Sequence, residues 1–407
     1  MAKKVYVGMS GGVDSSVTAA LLKEAGYDVT GVYMKNWSQD LPGFTCPWKE
    51  DYQDAKRVAV QLGIPFKMYD FEKEYRQKVV DYMIDAYKAG LTPNPDIMCN
   101  QEVKFKLFLE AALEDGADMI ATGHYARIVH DAAAGDDCVA GRGCEAAGDG
   151  RRGTPGSRAT SVSMSRGKRP AGPATQSSPA TQLSLAPASA QLLAGVDGNK
   201  DQSYFLYRVT EQALSRSLMP IGEYDKPKVR EIAKRLGLST AEKKDSQGIC
   251  FVGKVGIKEF LQQFVQTESG PIIDQHGKVI GEHDGALFYT IGQRQGLHVG
   301  GGLPYYVVGK DMKKNEVYVT TDLQDNRLWT DEFTLASPHW INCEPSESGA
   351  YKVRTRYRAE LIPVEKIYKD AEGKWHLKIK DDVRALTPGQ SAVLYDGAMV
   401  VGGGIVI

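Results

Sequence analysis

The chain has 407 residues, of which 42% are hydrophobic and 25% charged, the balance of a water-soluble protein too long for one typical core. Fifty basic against 51 acidic side chains leave a formal charge of −1, so no global basic excess draws the chain to nucleic acid; phosphate binding would need a local patch. Six cysteines stand far apart, at 46, 99, 138, 144, 250 and 343, without a Cys-x-x-Cys pair. That spacing argues against a structural zinc site or a disulfide framework and suits a reducing compartment, where a cysteine acts as a thiol.

Met1-Ala2-Lys3-Lys4 leads straight into a strand-like Val5-Tyr6-Val7, with neither an apolar h-region nor a cleavage pattern. No apolar run reaches membrane-spanning length, so the expectation is a cytoplasmic protein without a membrane partner. The first third alternates strands with helices. Lys3 to Gly8, Asp28 to Met34, Pro65 to Phe71 and Ala117 to Thr122 read as strands. Val13 to Glu24, Gln53 to Leu62, Glu72 to Ala89 and Gln101 to Glu114 read as helices. This alternation predicts a mostly parallel sheet covered on both faces.

Between the first strand and first helix lies Ser10-Gly11-Gly12-Val13-Asp14-Ser15-Ser16. The glycines permit a tight turn, and the amides opening the helix face an anion. It is neither a Walker loop, lacking Gly-Lys-Ser/Thr, nor Gly-x-Gly-x-x-Gly. A plain strand-to-helix turn would use the glycines and one serine, but not the aspartate and both remaining serines.

From Asp131 to Leu193 the composition shifts to Ala, Gly, Ser, Pro, Thr and Arg without aromatics, which predicts a disordered insertion. Its basic residues, such as Arg151 and Arg169, fit RNA contact less well than a tolerated surface insertion. Residues 206–270 read as a small, mainly helical domain in which Asp225 and Pro227 open a helix that Gly237 closes. After Pro271 short strands and turns predict a β-barrel over 271–407, with a hairpin at Asp396-Gly397. The division expected is thus 1–205, 206–270 and 271–407.

Two cysteines stand in suggestive settings. Cys99 follows Asn94-Pro95-Asp96-Ile97-Met98, with Asn100 read as the cap of the next helix; a helix N-terminus favours a thiolate. Cys250 lies in Asp245-Ser-Gln-Gly-Ile-Cys-Phe251, beside Lys243 and Lys244. Each alone reads equally well as a packed core cysteine. Farther on, Lys352, Arg354, Arg356 and Arg358 alternate with Val353, Thr355 and Tyr357, which on a strand would make a basic stripe beside an aromatic, suited to phosphate and base contacts.

The glycine loop resembles the signature of the ATP pyrophosphatases, which cleave ATP between the α and β phosphates and adenylate a substrate oxygen. That resemblance implies an adenine nucleotide α-hydrolase-like domain, with Gly8, Met9, Ser10, Gly11, Gly12, Val13, Asp14 and Ser15 around the phosphates. Met34 would meet adenine and Gly123 would flank the nucleotide, at strand ends where such sheets place ligands. Taken in order, Gly8–Ser15, Asn94–Asp96 before Cys99, Ala121–Arg127, Lys200–Leu206 and Asp245–Phe251 resemble the tRNA-specific 2-thiouridylases over nearly the whole chain, except about 131–193. The resemblance implies ATP as substrate, accompanying Mg²⁺, no resident protein metal site, tRNA as partner and an upstream sulfur donor, either a cysteine desulfurase or a relay protein. It further implies catalytic Cys99 and Cys250, joined transiently as a disulfide. Asn94, Pro95 and Asp96 would meet the target base, and His124, Lys200, Asp201, Gln202, Arg356, Tyr357 and Gln390 the tRNA. Two other readings remain: a nitrogen-transferring ligase of the same nucleotide class, and an RNA-binding protein without catalysis.

Overall fold

The computed structural model describes residues 2–40, 45–130, 189–244, 256–300 and 302–407. The first module is a five-stranded parallel sheet in the order β3-β2-β1-β4-β7, made of β1 (Lys4–Gly8), β2 (Asp28–Lys35), β3 (Phe66–Asp70), β4 (Met119–Ala121) and β7 (Ser217–Leu218). Its central strand is buried from Val5 onward, because α1 (Val13–Glu24) and α2 (Trp48–Leu62) cover one face and aromatic residues of a later helix the other. The chain reverses at Gly63, which takes φ 58° to close α2.

The helical middle is present, in Glu211–Ser215, Lys226–Arg235 and Ile257–Leu261. Its apolar residues are shared with the first module. Val229, Ile232 and Ala233 pack with Val13 and Val17, whereas Phe260 and Leu261 join the cluster around Cys99. Ser217–Leu218 adds a fifth strand to the parallel sheet, an element that two residues are too few to announce in sequence.

The strands after 270 form two separate sheets. β8 (Gly270–Ile273), β9 (Val279–His283), β10 (Tyr306–Asp311) and β11 (Glu316–Thr320) make a four-stranded sheet. β12 (Trp329–Trp340), β13 (Lys352–Arg354), β14 (Ile362–Lys369), β15 (Trp375–Arg384), β16 (Ser391–Asp396) and β17 (Met399–Val406) close into a barrel through the β12–β17 pairing. The hairpin turn sits at Gly397-Ala398, one residue later than expected, since Asp396 pairs with Met399 and Gly397 takes φ 58°.

β5 (Ala126–His130) and β6 (Ala190–Ala194) form a hairpin that leaves the first module and adds to β17. Ala190 is fully buried and Asn342 donates to its carbonyl, so the compositional boundary drawn at Leu193 falls inside a strand. The remainder of the expected insertion lies outside the described residues. Among the described residues no helix is long and apolar enough to cross a membrane.

Candidate active site

The glycine loop lies where β1 ends and α1 begins. Gly11 takes φ 75°, and a Cβ there would stand 2.3 Å from the carbonyl oxygen of Asp51. Gly12 caps α1 with extended backbone and no side chain of its own. The hydroxyls of Ser15 and Ser16 both donate to the Gly12 carbonyl, at 3.2 and 2.7 Å, and the Ser10 amide donates to Ser15 Oγ. The loop is therefore braced from within, Ser10 is exposed, and no side chain caps the opening amides of α1, which suits them to an anion.

Two neighbouring strand ends complete this edge. A Cβ on Gly123, just past β4, would stand 2.8 Å from the Ser15 amide nitrogen, so only glycine lets the two loops meet. A Cβ on Gly8 would stand 2.9 Å from Met34 Cε, which puts the end of β2 against the same edge. Thus Gly8 to Ser15, Met34 and Gly123 converge on one face, as a nucleotide site at strand C-termini requires. Among the described residues no three acidic, His or Cys side chains cluster to hold a metal. Mg²⁺ travelling with ATP needs few protein ligands, and the phosphates and water would supply most of them.

Cys99 lies on a helix that begins at Pro95, earlier than expected. Asn94 is its cap, its Oδ1 accepting from the Asp96 and Ile97 amides at 3.1 and 3.4 Å. Asn100 is not the cap: it is buried inside the continuing Cys99–Leu107 segment and donates to the Phe205 carbonyl at 3.0 Å. Pro95 occupies the first helical position, where its fixed φ and missing N–H suit the start of a helix. Cys99 is buried, one turn beyond the cap, so the helix dipole reaches it with less force than a first-turn position would give. The same helix runs beside the nucleotide edge: Phe108 lies 3.5 Å from the Cβ position of Gly8, and Phe105 stacks on His124 with ring centroids 5.7 Å apart. Burial pushes the Asp96 carboxyl above its ordinary range, with Lys104 opposing.

Several residues expected on the RNA side hold the protein together. His124 is buried, its Nδ1 is 2.8 Å from Thr122 Oγ1, and desolvation lowers its pKa well below that of an ordinary histidine. Asp201 is buried, with Oδ1 accepting from the Gly195 and Ser203 amides and Oδ2 from Arg354 at 2.8 Å. Gln202 exchanges hydrogen bonds with the Tyr125 backbone. These geometries make His124, Asp201 and Gln202 supports of the surface, while Lys200 beside them is half-buried.

The basic stripe is corrected. β13 ends at Arg354, Arg358 takes φ 61°, and the alternation stops after three strand residues. Arg354 turns inward to Asp201, Arg356 donates to the carbonyls of Arg384 and Ala385, and Arg358 donates to that of Asn199. Arg356 stays exposed nonetheless, and Tyr357 packs on Phe205 with centroids 4.5 Å apart. Gln390, from the barrel, donates to the Thr92 carbonyl at 2.8 Å and so reaches the loop that precedes Asn94.

Cys250 and its neighbours 245–255 lie outside the described residues, as do Cys138 and Cys144. Lys243, at the edge of that stretch, lies between Asp51 and Asp54, at 2.8 and 2.7 Å. No disulfide joins described residues. The sequence reading also passed over Tyr125 and Lys226, both of which bond Asp14 of the glycine loop. No motif marks Lys226, and only folding brings it to residue 14.

Three family profiles match in chain order: "tRNA methyl transferase HUP domain" over 3–143 and 181–254, "tRNA methyl transferase PRC-barrel domain" over 258–321, and "Aminomethyltransferase beta-barrel domain" over 330–406. A tRNA-specific 2-thiouridylase of Bacillus subtilis is 43% identical, the match covering 99% of this chain and 94% of the relative. Those of Listeria monocytogenes and Enterococcus faecalis are 41% and 38% identical, each over 99% of this chain and 94% and 95% of the relative. With the nucleotide edge, the adjoining Cys99 helix and near-complete coverage together, the chain belongs to the tRNA-specific 2-thiouridylase family.

Proposed function

We infer that the protein is an ATP-dependent sulfurtransferase that replaces the C2 oxygen of the wobble uridine in tRNA with sulfur. The observation that carries this reading is the packing of the Cys99 helix along the nucleotide edge, through Phe108 at Gly8 and Phe105 at His124. A thiol and a phosphate site on adjoining elements can serve one substrate atom.

A uridine oxygen leaves poorly, so it is first adenylated. The α1 amides and the exposed Ser10 hydroxyl hold the phosphates while the oxygen attacks the α phosphorus and pyrophosphate departs. Mg²⁺ bound with ATP would offset the charge on the departing phosphates. A persulfide on Cys250, loaded by an upstream donor protein, attacks C2 with its terminal sulfur and AMP leaves. The Cys99 thiolate then attacks the Cys250 sulfur, which releases 2-thiouridine and forms a Cys99–Cys250 disulfide; an external thiol reductant returns both to thiols. Alternatively, Cys99 attacks the persulfide first and frees hydrosulfide, which attacks C2. Phe260 supports the meeting of the two cysteines. It packs in the cluster that contains Cys99, and Cys250 precedes it by ten residues, a span of at most about 35 Å. Asn94, Pro95 and Asp96 receive the base beside Cys99. Exposed Arg356, with Tyr357, Lys200 and Gln390, receives the tRNA, oriented by Asp201, Gln202 and His124.

The test is mass analysis of nucleosides from tRNA incubated with the protein, ATP, Mg²⁺ and a persulfide donor. The expected product carries the mass change of oxygen exchanged for sulfur. Cys250→Ser and Cys99→Ser are expected to fold and to lose thiolation. Full thiolation by Cys250→Ser, or a methyl mass increment instead, overturns the reading.

A further inference from the structure

Asp14 presents a difficulty at the site just described. It is the second residue of α1, in the first turn, where the amides await an anion. A bare carboxylate there repels the polyphosphate that the loop is shaped to receive. Its surroundings remove the difficulty. Lys226 Nζ lies 2.7 Å from Asp14 Oδ1 and 2.9 Å from Oδ2, and the Tyr125 hydroxyl donates to Oδ1 at 2.7 Å.

Lys226 is built in place rather than swung in from solvent. Its side chain is only 10% exposed, while that of Asp14 is 32% exposed. Its ammonium also lies 5.6 Å from the Tyr125 ring centroid. Its backbone amide donates to Asp197 Oδ2 at 3.0 Å, and it is the first residue of a helix capped by Asp225. That helix packs Val229, Ile232 and Ala233 into the core with Val13 and Val17 of α1. A lysine so enclosed is held by its partner, and the partner belongs to the phosphate loop.

We propose that Lys226 is a positioning residue for the nucleotide: it neutralises Asp14 and fixes the first turn of α1 so that the loop amides can take the ATP polyphosphate. The proposal rests on the ATP-using reading above. Lys226 acts through Asp14, and Tyr125, which follows His124 in the chain, donates to the same carboxylate oxygen. The central helix, which has no motif of its own, is thereby part of the nucleotide site.

The experiment compares wild type, Lys226→Met, Lys226→Arg and the double variant Asp14→Asn/Lys226→Met in tRNA-dependent pyrophosphate release. Melting temperature is measured alongside. The expected result for Lys226→Met is a rise in KM for ATP of at least about tenfold, since an unpaired carboxylate then faces the phosphates, with KM for tRNA unchanged. Lys226→Arg recovers part of the loss. The double variant binds ATP more tightly than Lys226→Met, because removing the orphaned charge removes the repulsion; a merely structural lysine would give no such recovery. Should Lys226→Met fail to fold, Lys226→Arg and the double variant still carry the comparison. A Lys226→Met protein with wild-type KM for ATP overturns the proposal, as does a double variant no better than the single one. Absence of pyrophosphate release from wild type itself overturns the ATP reading, a failure distinct from both.

Discussion

At the scale of single residues, the site depends on side chains that are missing as much as on those present. Gly123 shows this most directly. A Cβ there would meet Ser15 N at 2.8 Å and the Asp14 carbonyl carbon at 2.9 Å, and both are backbone atoms that cannot rotate away. Gly123→Ala is therefore expected to push the start of α1 from β4, costing about 1–3 kcal/mol of stability. It is also expected to lessen the stabilisation that ATP confers, as thermal melts with and without ATP would show. An unchanged shift on adding ATP would mean that the loop tolerates the displacement. The motif around Gly123 was visible in sequence, whereas the reason for it, a contact with a loop more than a hundred residues earlier, was not. The arginines teach the converse. Arg354, Arg356 and Arg358 looked alike in a row, but one binds a buried aspartate and two bind carbonyls. Alternation places side chains only while the strand lasts, and here it ends at Arg354.

Among elements, the β5–β6 hairpin carries a separable prediction. His130 pairs with Ala190 and Ala126 with Ala194, so the hairpin is in register up to the edge of the compositionally biased stretch. Replacing residues 131–189 with Asn-Gly joins His130 to Ala190 through a two-residue turn. The expected outcome is thiolation near that of wild type, measured on purified tRNA; collapse of activity or solubility would give the stretch a necessary role. Deletion must stop before Ala190, because β6 is buried and extends the barrel sheet through β17. Composition could not set that limit, since Ala190–Ala194 reads like the alanine-rich residues before it and becomes a strand only by pairing. The Cys99 helix shows the same limit on local reading. Asn100 has the residue type of a cap, but packing buries it against Phe205, and Asn94 caps the helix instead.

For the whole molecule, the barrel and the nucleotide module meet at the loop that leads to the Cys99 helix. The Thr92 amide donates to the Pro388 carbonyl at 2.9 Å and Gln390 donates to the Thr92 carbonyl at 2.8 Å. Between them Gly389 takes φ 94°, and a Cβ on it would stand 2.6 Å from the Thr92 nitrogen. Gly389→Ala is thus expected to shift the barrel against the Asn94–Cys99 segment. Thiolation should fall and KM for tRNA rise while KM for ATP stays constant, in the same steady-state assays. Equal changes in both constants would mean that the junction serves folding alone. One core also crosses this junction: Ile97 and Phe105 belong to the same buried cluster as Val393 and Tyr395.

The sequence by itself determined the reaction class and the order of its parts, because a short motif carries a loop whose geometry is largely local: Gly8 to Ser15, with the strand–helix alternation around it. Tertiary structure alone decided which charged residues serve the site and which serve the frame. Lys226 reaches Asp14, Arg354 reaches Asp201 and Lys243 reaches Asp51 across long stretches of chain. An ion pair strengthens where packing removes water from around it, and which charges are so packed is a property of the folded chain.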